Sequence, residues 1–151
     1  MTDSTLTLIV ASVALVVTLV RLSVIASRAD SNSPARLVAE LRLAQFAALV
    51  LTLSGGIYIG IPLAQEASHG TGIDVALAIG FLAIASAAIT QEPRRALTLV
   101  SLGFAGHAVV ALIHGTEMLP SDSVPEWFPT ACAIYDVTVA AVCYLPVVRR
   151  P

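Results

Sequence analysis

The stretch that decides the fold is Thr5–Ser27, "TLTLIVASVALVVTLVRLSVIAS", which carries Arg21 as its only charged residue. A helix needs about 20 mainly apolar residues to cross the hydrocarbon core of a bilayer, and this run supplies them. Four more segments qualify on the same grounds, at about Leu43–Ala64, Ile73–Thr90, Ala96–Gly115 and Trp127–Val148. The third is the shortest and sits at the lower end of the spanning range. The links between them read as loops. "RADSNSPAR" has a turn-forming core, "QEASHGTG" carries two glycines, "QEPRR" contains a helix-stopping proline, and "TEMLPSDSVPE" has two prolines. The expected fold is all-α: five transmembrane helices in a single domain over residues 1–151.

Composition agrees. Of the 151 residues, 57% are hydrophobic and 12% are charged, about half the charged share of a soluble domain. Such a chain cannot cover a water-facing surface, so its main partner is the lipid bilayer. A net charge of −2 gives no concentrated basic face for nucleic acid. Cys132 and Cys143 lie in one apolar segment, roughly 16 Å apart along a helix, beyond disulfide reach, and read as packing residues.

Charge asymmetry sets the expected threading. Arg28, Arg36 and Arg42 flank the first link, Arg94 and Arg95 sit in the third, and Arg149 and Arg150 follow the last span. Arg21, near the end of the first span, snorkels to the same side. The other side holds Asp3, Glu66, Asp74, Glu117, Asp122 and Glu126. With five spans, all eight arginines fall on one side, expected to be cytoplasmic, with the N-terminus outside and the C-terminus inside. The Ala-rich, lysine-free composition suits a bacterial protein of the inner (cytoplasmic) membrane. The first segment lacks the positive flank of a signal peptide and is expected to be a retained helix. "PARLVAELRLAQF" reads as an interfacial lead-in to the second span. Gly56-x-x-x-Gly60, Ala76-x-x-x-Gly80 and Ala83-x-x-x-Ala87 are small-residue spacings, for packing inside the bundle or for a dimer interface.

Ionisable groups inside spans are costly, so each is a functional candidate. "GHAVVALIHGTE" (106–117) holds two of them. His107 lies roughly 18 Å and Asp136 roughly 19–20 Å from the arginine side, on consecutive antiparallel helices. Equal depth predicts that they meet, sharing a proton or forming an ion pair. Tyr135, Tyr58, His114 and Glu117 fall in the same outer half and are candidate ligand contacts. His114 is two turns above His107 on one face, which suggests a path inward from the outer surface.

Several functions fit this cluster: binding of an apolar or amphipathic ligand, service as an accessory subunit of a membrane complex or as a homodimer, and membrane-embedded acid–base catalysis of the isomerase or hydrolase type by His107 and Asp136. A further alternative is a haem- or metal-binding dimer. Two histidines roughly 10 Å apart on one helix cannot clamp one iron, so haem needs two copies of the chain. A rim metal site would draw on His114, Glu117 and His69. The other reading is structural: His107 and Asp136 satisfy each other and fix the fourth and fifth helices in register. No cofactor is named by any motif: there is no phosphate loop, no G-x-S-x-G, no C-x-x-C and no H-E-x-x-H.

From about Leu43 to Pro146 the chain resembles small bacterial four-helix integral membrane proteins of unassigned function. The likeness rests on "YIGIPL", the link ending in Pro93, the His107-Ala108 pair and "VPEWFP". It implies a small helical bundle with one added N-terminal helix, and carries over no site residue.

Overall fold

The computed structural model describes residues 3–30, 32–64, 71–116 and 127–149, with the side chains of residues 3, 4, 58, 61–64 and 71 outside that description. Five helices account for nearly all of these residues: α1 Asp3–Arg28, α2 Pro34–Ala64, α3 Thr71–Ile89, α4 Pro93–Gly115 and α5 Trp127–Val148. No strand occurs among the described residues. Each helix is long and apolar enough to cross a membrane, and the chain is a small multi-pass membrane protein.

Local chemistry places the boundaries. Ser33 precedes Pro34, and its hydroxyl accepts a hydrogen bond from the Arg36 amide at 3.4 Å. That is an N-cap followed by proline at the first helical position, where the missing N–H costs nothing. Pro93 likewise opens α4, there without a side-chain cap from Glu92. The second helix starts nine residues before the expected span, because the lead-in "PARLVAELRLAQF" is continuous with it. With 31 residues, α2 is about 46 Å long, well over the bilayer core.

The helices alternate in direction. The C-terminal ends of α1, α3 and α5 and the N-terminal ends of α2 and α4 form one end of the bundle, the arginine end. The pairs α4–α5 and α2–α3 pack most extensively, and α2 also meets α4 across the core. Helix α1 touches only α2 and α5 and spreads over the seam between them, where α2 and α5 themselves barely meet. The core is built from Leu43, Ala47, Val50 and Leu51 of α2, Phe81 and Ala85 of α3, Leu97, Val100 and Phe104 of α4, and Val139 and Cys143 of α5. Both cysteines are free thiols. The outside is equally apolar, with Val10, Val17, Leu102, Ile134 and Val137 all exposed. This is the surface lipid requires, so packing rather than water exclusion must hold the helices together.

Close approach is bought by different glycines from those the spacings suggested. A Cβ on Gly103 would lie 2.6 Å from Leu51 Cδ2, and one on Gly55 would lie 3.3 Å from Phe81 Cβ. These two let α4 and α3 close on α2. Gly56, Gly60 and Gly80 face open space, with nothing within 4 Å of an added Cβ. Ala76, Ala83 and Ala87 are exposed as well. The small-residue stripes therefore lie on the outside of the bundle and do not pack it.

Charged groups are buried in pairs. At the arginine end Arg36 (2% exposed) and Glu40 (1%) form an ion pair at 2.8 Å. Both point inward, so the lead-in is not the amphipathic surface segment expected of it. The cause lies on α5. Pro146 sits inside that helix, and its ring nitrogen cannot donate to the Val142 carbonyl one turn back. Ser23 of α1 donates its hydroxyl to that carbonyl at 2.7 Å. Arg36 Nη2 donates to the Pro146 carbonyl at 3.0 Å. In lipid an unmet carbonyl costs several kcal/mol, and here two other helices meet the need.

Candidate functional site

The middle of the bundle holds His107 on α4 and Asp136 on α5, each 1% exposed. His107 Nδ1 lies 2.6 Å from Asp136 Oδ2. The carboxylate accepts from Nδ1–H, which leaves the basic lone pair of the ring on Nε2. Phe81 of α3 meets the imidazole edge-on, with centroids 4.8 Å apart at 66°. The ring is thus held by one helix, bonded by a second and packed by a third. Burying the two groups as a hydrogen-bonded pair removes most of the cost of burying either alone.

The pair borders a cleft of about 380 Å³ between α1, α2 and α5, within the usual range for small-molecule sites. Its walls are mainly apolar, with Leu8, Leu15, Val50 and Ile57 among them, and Trp127 and Phe128 also line it. Polar groups are few: Ser12, Ser54, Cys132 and Tyr135 besides His107 and Asp136. The Tyr135 hydroxyl is buried and has no hydrogen-bond partner among the described residues. The cleft exists because α1 spans the seam between α2 and α5 without filling it.

His114 belongs to a different place. It is buried at 4% exposure and does not line the cleft. Its Nε2 lies 2.8 Å from Asp74 Oδ1 on α3, and its Nδ1 lies 2.8 Å from the Val110 carbonyl one turn back. A carbonyl only accepts, so Nδ1–H is the donor there. The contact with Asp74 then needs a proton of its own, held by the imidazole or by the carboxyl group. Since both ring nitrogens have protein partners, His114 has none to give a metal without breaking a bond. The shared face of His107 and His114 does not open a path inward: one histidine turns to the cleft and α5, the other to α3. Glu117 and His69, the remaining members of the expected rim site, lie outside the described residues, as does the Tyr58 side chain. Among the described residues no three His, Cys, Asp or Glu side chains gather as a metal site would require.

Two groupings escaped sequence reasoning. Asp74 was read only as an acidic residue of the arginine-free side; α3 begins at Thr71, so this carboxylate sits in the first helical turn, favoured by the helix dipole. The Arg36–Glu40 pair was read as surface charge. What Arg36 serves is the Pro146 carbonyl, an acceptor in the last turn of α5 that the helix itself leaves open. Compared with family models, curated proteins and solved structures, the chain finds no match.

Proposed function

We propose that the protein binds a small apolar or amphipathic molecule, drawn from the lipid phase, in the cleft between α1, α2 and α5. The observation that carries this reading is an apolar-walled cavity of drug-like size with a buried His107–Asp136 pair at its edge. An apolar pocket with a few converging polar groups is what small-molecule sites look like. The arginine end faces the cytoplasm in this reading, as charge asymmetry favours, and the cleft opens in the outer half of the bacterial cytoplasmic membrane.

Native mass spectrometry of the gently solubilised protein tests it. The wild type should carry a bound small mass, and Ser54→Phe, which places a ring in the cleft, should lose it while remaining helical. A bare, folded wild-type chain under the gentlest release conditions would overturn the reading.

Acid–base catalysis is the second reading, favoured by the His107–Asp136 dyad. Asp136 fixes the tautomer and stabilises an imidazolium, and Nε2 is the nitrogen that would take a proton from a substrate in the cleft. Asp136→Asn should then abolish turnover with the occupant still bound. Retained turnover would sink it.

A further inference from the structure

The lining of the cleft says what kind of head its occupant has. This inference rests on the binding reading above and deepens it. None of the described lining residues is an arginine or a lysine. The ionisable groups on the described lining, besides Cys132 and Tyr135, are His107 and Asp136, and these are engaged with each other at 2.6 Å. A charged head entering an apolar, low-dielectric space needs a counter-charge there. An anionic head, a phosphate or an ionised carboxylate, would meet no cation and would sit beside Asp136. A cationic head would have to compete with His107 for the aspartate. A neutral head meets neither penalty.

A neutral head also finds a partner. Tyr135 lines the cleft, and its buried hydroxyl bonds no described residue. A buried hydroxyl left without a partner is costly, and an oxygen on the occupant would relieve that cost. We infer that the cleft selects lipid-phase molecules with an uncharged, oxygen-bearing head, such as long-chain alcohols and ketones, and that the Tyr135 hydroxyl donates to that oxygen. Phospholipids and ionised fatty acids are excluded.

Trp127, the only tryptophan in the chain, lines the cleft and reports on it. Dibrominated probes with one tail and four heads are titrated into the full-length protein in micelles: an alcohol, a methyl ketone, an ionised carboxylate and a trimethylammonium. The saturable quenching that Ser54→Phe abolishes is the specific signal. The alcohol and ketone should bind at least about 10-fold more tightly than either charged probe. Tyr135→Phe should weaken them about 3- to 10-fold, the range of one hydrogen bond, and leave the charged probes unaffected. Charged probes that bind as well as neutral ones would overturn the selectivity while leaving the cleft a binding site. Unchanged affinity in Tyr135→Phe would overturn the role of that hydroxyl. If no probe gives saturable quenching, the binding reading falls with the inference.

Discussion

A double-mutant cycle on His107 and Asp136 tests whether the pair holds α4 to α5. The variants are His107→Phe, Asp136→Leu and their combination, chosen to keep volume and remove polarity. Two scales of magnitude compete. For proteins that unfold into water, removing one partner of a buried ion pair costs about 3–5 kcal/mol. In a bilayer the separated helices stay in lipid and find other partners, so couplings average about 0.6 kcal/mol and reach about 1.7. The second scale applies here, because the helices are lipid-facing. The pair belongs near its top: the contact is 2.6 Å, both groups are 1% exposed, and Phe81 fixes the imidazole from a third helix. Each single change should therefore cost about 2–3 kcal/mol, the loss of a charged hydrogen bond between buried groups. The double should cost about 1.5 kcal/mol less than their sum. Reversible unfolding in mixed micelles, titrated with a denaturing detergent and followed by circular dichroism, gives the four free energies. Additivity within about 0.5 kcal/mol, the behaviour of independent sites, would refute the argument that the two residues stabilise one another.

Three further outcomes are expected. Gly103→Ala should destabilise by about 1–3 kcal/mol through overpacking against Leu51, whereas Gly56→Ala, facing open space, should be neutral or stabilising by up to about 1 kcal/mol; equal effects in melting experiments would contradict the assigned faces. Arg36→Met should be more damaging than Arg36→Met combined with Glu40→Leu, since the single change removes the arginine from a carboxylate that is 1% exposed; the reverse order would count against the buried pair. A membrane-permeant maleimide should label Cys132, which lines the cleft, and spare Cys143, which is fully buried; mass spectrometry of the labelled protein reads the result, and modification of Cys143 in the folded state would count against the packing described.

The meeting of His107 and Asp136 was legible because depth along a helix follows from residue count alone. Two ionisable groups at equal height on adjacent antiparallel helices have little choice but to face each other. The five helices were legible for a similar reason, since length and apolarity suffice to define a span. What the sequence hides is azimuth. Gly56 and Gly60 have a packing spacing, yet nothing in the spacing says whether that face looks at a neighbour or at lipid; Gly55 and Gly103, which do the packing, carry no motif. Azimuth also decided Arg36 and Glu40. Their periodicity suits a surface helix, and what draws them inward is a carbonyl on α5, 110 positions later in the chain. His114 was assigned to a rim with Glu117 and His69, but its bond to Asp74 depends on where α3 begins, which loop composition does not define.

The Pro146 region also bears on how the bundle is made. Val142 and Pro146 belong to α5, while their donors, Ser23 and Arg36, belong to α1 and α2, 119 and 110 residues earlier. Until α5 enters the membrane, Arg36 lacks one of its acceptors, and α1 lacks the helix that anchors its arginine end. The arrival of α5 therefore ties α1 and α2 to a helix made after α3 and α4. A ribosome stalled before residue 142 would hold a set of inserted helices without their fastening.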